Sequence, residues 1–253
     1  MVIMSVINSY KPPVLQRITS TLSDGPYDLN SNIPIPSSLE TKRVKLVPFL
    51  PANHAEAFFA AYNAAPALER YLFTAWPDFP SLLTFLEEYR TKPDAIFFAI
   101  LDKTKGSSLE KSMAGLIGFV HCSPQNLEVE ISPVITLPAF QRTFVSSNAV
   151  GLMLKYALDL PENGGIGFRR VVWSANPGNL ASVKTAKRMG FTQEGVKRWS
   201  WVLPLGKDGG KAPVDGKRGQ GQGRDSVVLS MCWDDWEGGG REHVTKVINN
   251  NRV

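Results

Sequence analysis

The sequence predicts an α/β fold: a mixed, twisted sheet of about seven strands flanked by helices and built around a central βαβ crossover. Three observations carry this. LEVEISPVITL (127–137) reads as a strand, a donor-rich junction leads into an apolar helix to about residue 160, and FRRVVWSA (168–175) reads as a strand again. Strand, helix and strand at this spacing make a crossover whose two strands are parallel. Upstream, AIFFAILD (95–102) and MAGLIGFVHC (113–122) form a hairpin around KTKGSSLEK, and downstream GVKRWSWVLP (195–204) and DSVVLSMCW (225–233) form another.

The remaining elements follow in order. Residues 1–40 carry Pro12, Pro13, Pro26, Pro34 and Pro36 among many Ser and Asn, which leaves no apolar period and predicts an extended arm. RVKLVPF (43–49) is the first strand, and 52–63 and 81–90 are amphipathic helices with a broken helical segment, ALERYLF, between them. PENGG stops the crossover helix. NPGNLASVKTAKRMGF holds another helix, with Asn179 or a neighbour as N-cap and Gly190 as a left-handed C-cap. The segment 206–224 is glycine-rich and lacks aromatics, so it is expected to be a disordered insert. The domain is thus expected over 41–236, with 237–253 as a C-terminal tail.

Composition narrows the function. Apolar residues are 43% and charged residues 20% of the chain, so a sizeable core is available and disorder is excluded as a global state. The net charge of +5 is only mildly basic, and much of the excess sits in 206–224 rather than on a face with interleaved aromatics. RRVVW (169–173) and KRWSW (197–201) mix cations with aromatics, but their alternation suits half-buried strands better than a nucleic-acid platform. Cys122, Cys232, His54, His121 and His243 show no metal-ligand spacing, so no metal site is expected. MVIMSVINSYK lacks a charged n-region, and no apolar run reaches roughly eighteen residues. A cytoplasmic, soluble monomer or homodimer is expected, bound to neither nucleic acid nor membrane.

Chemistry concentrates at LPAFQRTFVSSNAV (137–150), where a strand enters a helix with no acidic residue and no glycine. The first N–H groups of a helix lack intrahelical partners and lie at a positive dipole end, so such a junction suits an anion. PAFQRTFVSSNA (138–149) resembles, without gaps, the cofactor-binding stretch of the Rim-like branch of the GNAT N-acetyltransferases, where Pro-x-Tyr-Gln leads into a Gly-x-Gly/Ala turn. NLAS (179–182) followed by RMGFTQEG (188–195) resembles that branch's second signature. The resemblance spans about residues 41–236.

The resemblance implies acetyl-CoA as cosubstrate. Val134, Ile135 and Leu137 would lie along the pantetheine arm, and backbone amides of this strand would donate to the thioester oxygen. Gln141, Arg142, Thr143, Phe144, Val145, Ser146 and Ser147 would cradle the pyrophosphate, with Asn179 and Ser182 near the thiol end. Phe144 and Ser146 stand where the family carries glycine, which allows close backbone approach. Pro133 inside the strand implies a bulge or an edge, and the family's bulged, splayed strand accommodates it.

Catalysis of amine acetylation needs a proton acceptor. Glu128 and Glu130 share one strand face; Glu130 is the first candidate for the base, Glu128 the second and His121 an outsider, while all could be ordinary surface groups. The family's thiolate-protonating tyrosine is replaced by Ala186, which leaves Ser182 as the acid, or else as a helix-entry cap. The implied reaction moves an acetyl group to a primary amine, on a small molecule or a protein N-terminus, by direct attack in a ternary complex. Trp76, Phe79, Trp199 and Trp201 suggest aromatic walls for the acceptor. A catalytically weak CoA-binding or partner-binding module is the alternative.

Overall fold

The computed structural model describes residues 7–11, 14, 16–21, 26–213 and 217–250. Strands β1 (Leu39–Glu40), β2 (Val44–Pro48), β3 (Ile96–Asp102), β4 (Met113–Ser123), β5 (Glu128–Thr136), β6 (Arg170–Ala175), β7 (Thr192–Val202) and β8 (Gly223–Cys232) form one sheet, ordered β1-β2-β3-β4-β5-β6-β8-β7. Helices α1 (Pro51–Asn63), α2 (Phe79–Arg90), α3 (Leu109–Ser112), α4 (Phe144–Leu158), α5 (Leu180–Arg188), α6 (Trp233–Asp235) and α7 (Arg241–Asn249) complete it. The sheet is mixed as expected: β5 and β6 are parallel across α4, and every other pair is antiparallel. The strand beyond the expected count is β1, a two-residue addition to β2.

Alternation along β3 shows how the layers stack. Phe97 packs on Phe85 and Tyr89 of α2, while its neighbour Phe98 meets Phe119, which meets Tyr156 of α4. Successive strand side chains point to opposite faces, so α2 and α4 cover opposite faces of the sheet. Asn179 caps α5 by accepting from Ser182 N–H at 3.1 Å, and Gly190 follows that helix at φ +96°. Both match the capping chemistry expected from the sequence.

The feature that positions the site is an incomplete pairing. β5 and β6 share rungs at Glu128↔Arg170, Val129↔Val171 and Glu130↔Val172, and then part. The register of β5 on β4 slips between Ile117 and Phe119, opposite Ser132 and Pro133. Proline has no N–H to donate, and a bulge bends a strand and raises its twist. The bulge therefore turns the second half of β5 away from β6.

Two segments differ from their sequence-based description. The 237–253 tail contains α7, docked on α4: Val244 and Ile248 are buried, and a Cβ on Gly151 would lie 2.4 Å from Ile248 Cδ1. Asp159 ties this end down, accepting from the buried Trp236 indole at 2.9 Å and from Arg241 Nε at 2.8 Å. The 206–224 segment was expected to be disordered. Residues 214–216 lie outside the described residues, but Lys211 pairs with Gly223, Gly210 N–H donates to Gln222, and Lys207 Nζ donates to the Glu69 carbonyl. Glycine permits this through close backbone approach rather than slack, since a Cβ on Gly221 would sit 2.4 Å from the Leu203 carbonyl oxygen. No helix among the described residues is long and apolar enough to cross a membrane.

Asp159→Ala leaves the buried indole N–H unpaired and releases Arg241. The expected loss is about 2–3 kcal/mol of unfolding free energy in a urea titration.

Candidate active site

Where β5 and β6 part, a cleft of about 750 Å³ opens between β5, the start of α4, α5 and the 3₁₀ turn Pro66–Tyr71. Val134, Ile135, Gln141, Arg142, Thr143, Phe144, Ser146, Ser147, Asn179 and Ser182 all line it. Leu137 and Val145 do not. Leu137 is 1% exposed with its N–H bonded to the Ala114 carbonyl, and Val145 is fully buried. A continuous stretch was expected to face the cofactor, but helical periodicity turns Val145 into the core, and the sheet ladder claims Leu137.

The junction is braced from within. Gln141 Nε2 donates to the Thr136 carbonyl at 3.0 Å, the Ser146 and Thr136 hydroxyls meet at 2.8 Å, and Arg142 turns the chain at φ +61°. Thr143 caps α4, its Oγ1 accepting from Val145 N–H at 3.3 Å. The other amides of the first turn have no intrahelical partner and lie at the cleft's edge. Phe144 fits here because its ring is stacked under the Arg43 guanidinium, 4.2 Å from its centroid, and the cleft stays open. Arg43 also donates to the Ile248 and Asn250 carbonyls, drawing the end of α7 to the same wall.

Charge in the cleft is one-sided. Arg142, Lys184 and Arg188 line it, and among the described residues no Asp or Glu does. Arg188 donates to Ser147 Oγ at 3.0 Å, so α5 braces the start of α4. Lys184 and Arg188 lie one helical turn apart; this i,i+4 spacing was the available signal, and sequence reasoning did not use it. Val247 and Asn250 also line the cleft and had no comparable signal, because they depend on where α7 docks. Three cations, open helix amides and the absence of carboxylates suit a polyanionic cosubstrate such as the pyrophosphate and phosphate of a CoA thioester.

The cleft narrows into a crevice of about 70 Å³ between the parted strands, and Glu130, Ser174, Trp173, Ser182 and Arg224 line it. Burial raises the Glu130 carboxyl above its usual range, against the pull of His121, a Ser174 hydrogen bond, Lys197 and Arg224. Glu128 lies elsewhere: it is ion-paired with Arg170 at 2.7 Å at the paired end of the strands and lines neither cleft nor crevice. Sharing a strand face with Glu130 did not bring it to the site, because the strands separate only beyond Glu130.

Ser182 Oγ accepts the Trp173 indole N–H at 3.0 Å. The N-cap role belongs to Asn179, whose Oδ1 accepts from Ser182 N–H at 3.1 Å, and Ser182 lines both the cleft and the crevice. Ala186 is fully buried and contributes no polar group.

On the far side of the crevice, Phe73, Tyr89, Asp94, His121 and Trp201 line a second cavity of about 480 Å³. Phe73 and Trp201 stack at 4.6 Å and belong to both walls. Of the expected aromatic walls only Trp201 is here. Trp76 is core, Phe79 packs on Phe59, and Trp199 is 51% exposed under Lys211. The shift in register between Lys197 and Trp201, with Trp199 at φ +53°, breaks the alternation that would have put both indoles on one face. His121 lies 3.8 Å from Asp94 and lines this cavity rather than the crevice.

An acetyltransferase (GNAT) domain description matches residues 43–192. No curated protein matches the chain. Among solved structures, a probable GNAT-family acetyltransferase from Chromobacterium violaceum is 25% identical at a TM-score of 0.66, over 90% of this chain and all of that one (100%). Mycobacterium smegmatis RimJ in complex with CoA-disulfide is 14% identical at 0.59, over 80% of this chain and 88% of that one. An acetyltransferase from Salmonella typhimurium that modifies the N-terminal serine of ribosomal protein L7/L12 is 17% identical at 0.58, over 76% and 96% of the two chains. The parted parallel strands, the cationic helix entrance between them and a domain match covering more than half of the sequence agree: the chain belongs to the GNAT acetyltransferase family and is an acetyl-CoA-dependent N-acetyltransferase.

Proposed function

We propose that the enzyme moves the acetyl group of acetyl-CoA to a primary amine, on a small molecule or a protein N-terminus, by direct attack in a ternary complex. The observation that carries this is Glu130, a buried carboxyl in the crevice between a cation-lined cleft and an aromatic cavity. The cleft suits the cosubstrate and the cavity suits the acceptor, so the two would meet at this carboxylate.

Acetyl-CoA supplies an activated acetyl thioester. Arg142, Lys184, Arg188 and the open amides of α4 hold its phosphates. Glu130 takes a proton from the acceptor's ammonium, which frees the nitrogen lone pair to form the bond to the acetyl carbon. As the carbon–sulfur bond breaks, the second proton that the nitrogen must lose passes to the departing sulfur through the Ser182 hydroxyl, which gives its own proton and takes up that one while its oxygen accepts the Trp173 indole N–H. Direct attack is supported by the state of Cys122: burial, with Asp94 nearby, pushes its thiol up to about 12, far from a thiolate that could carry acyl groups. The Salmonella neighbour's activity on an N-terminal serine supports a protein N-terminus among the acceptors. The well-packed Phe144 removes one argument for a module without turnover.

Saturating acetyl-CoA at a hundredfold excess over its dissociation constant is expected to stabilise the fold by about 2.7 kcal/mol. Arg142→Glu is expected to abolish that gain in a thermal-shift titration while leaving the ligand-free melting temperature in place.

The raised Glu130 carboxyl sets the direction of the pH profile. A base must be ionised, so turnover is expected to rise with pH through a limb above the usual carboxylate range. Glu130→Gln is expected to lower kcat by roughly 10²-fold at neutral pH and to remove that limb, as read from pH–rate profiles.

Ser182→Ala is expected to slow turnover with little change in acetyl-CoA affinity. Asn179→Ala, which deletes the cap, is expected instead to cost about 1 kcal/mol of stability. Steady-state kinetics beside urea titrations of both variants separate the two roles.

A further inference from the structure

Arg224 is the second residue of β8, paired across the ladder with Trp201. It is 6% exposed, and its Nε has no hydrogen-bond partner among the described residues. Burial opposes its charge, and Glu130 is the carboxylate whose field offsets that burial. A guanidinium stays ionised in proteins, and a buried N–H left unpaired is costly, so such a donor is retained where something else completes it. Arg224 lines the crevice together with Glu130, Ser174 and Ser182, and the acetyl-transfer chemistry above gives it no task.

Opposite charges in one narrow crevice match a ligand that carries both an ammonium and, close by, an oxygen acceptor. We propose that Arg224 is a specificity residue that receives a carbonyl or carboxylate oxygen adjacent to the reacting amine, so that the preferred acceptor is an α-amino acyl group rather than a plain alkylamine. This rests on the acetyl-transfer reading. Such groups occur at a chain's N-terminus and in free amino acids, which share the chemistry. A plain alkylamine would reach Glu130 but leave the Arg224 donor unpaired, and a site built around a hydrogen bond discriminates against the analogue that lacks it. The adjoining cavity, walled by Phe73, Tyr89 and Trp201, leaves room for the rest of the acceptor.

The test compares full-length wild type, Arg224→Lys and Arg224→Met, each checked by circular-dichroism melting. An alanyl peptide, free alanine and propylamine serve as acceptors. The readout is the ratio of kcat/KM for each amino-acyl acceptor over that for propylamine, which cancels effects common to all amines. Wild type is expected to favour at least one amino-acyl acceptor, and both variants are expected to cut that ratio by about 10- to 100-fold, chiefly through KM. Arg224→Lys keeps a positive charge beside Glu130 and is expected to retain the acid limb of the pH profile while losing selectivity. The peptide and free alanine arms tell which source supplies the oxygen. An unchanged ratio in well-folded Arg224→Lys, or an equal fall for all acceptors, overturns the proposal while acetyl transfer stands. Absence of turnover with every amine removes the acetyl-transfer reading itself, and this one with it.

Discussion

The separation of β5 from β6 is the constraint from which the rest of the molecule follows. Backbone donors and acceptors inside a sheet are normally consumed by the neighbouring strand, so a sheet does not open without a cause. Here the cause is local and chemical: a register slip at Ser132 and Pro133, where one residue has no N–H to give. Below that point Glu130 still faces Val172 across a regular parallel pair. Above it the two strands leave a space that helix α4 enters from one end and the aromatic cavity approaches from the other. Cleft, crevice and the approach to the aromatic cavity all depend on that one departure from regular pairing.

Electrostatics divides the space. The wide end holds Arg142, Lys184 and Arg188 and, among the described residues, no carboxylate, a field that favours phosphates at the start of α4. The narrow end holds Glu130 and Arg224 together, both driven toward neutrality by burial and each eased by the other. A buried carboxyl with a raised pKa is a poor stabiliser of the fold but a useful base, since its proton affinity is drawn toward that of its task. The aromatic cavity gains its walls from elements distant in sequence, Phe73 before α2 and Trp201 on β7, joined by a ring stack.

Much of the architecture was legible because it rests on local signals. The crossover announced itself through length and periodicity, Asn179 and Gly190 through capping chemistry, and the bulge through a proline that a central strand cannot otherwise hold. The cleft residues from Gln141 to Ser147 were legible as a group, but the stretch alone did not say that Val145 turns inward. Glu130 and Glu128 were equivalent in sequence; only the point at which the strands part distinguishes the crevice carboxyl from the ion-paired one. Helix α7 was missed because nothing short-range says that Gly151 on α4 leaves a groove for Ile248. The described part of the 206–224 loop misled for the opposite reason: Gly210 and Gly221 serve close approach while Gly206 and Gly219 stand in open space, and composition does not tell the two uses apart.

The central claim is that acetyl-CoA occupies the opening between β5 and β6 with its thiol end beside Glu130 and Ser182. The most direct measurement is a crystal structure of this chain with CoA bound. The account predicts pyrophosphate oxygens on the open amides at the start of α4 with Arg142 and Arg188 beside them, and the CoA sulfur within hydrogen-bonding reach of Ser182 Oγ. CoA bound outside this opening, or with its sulfur directed away from Glu130 and Ser182, would contradict it.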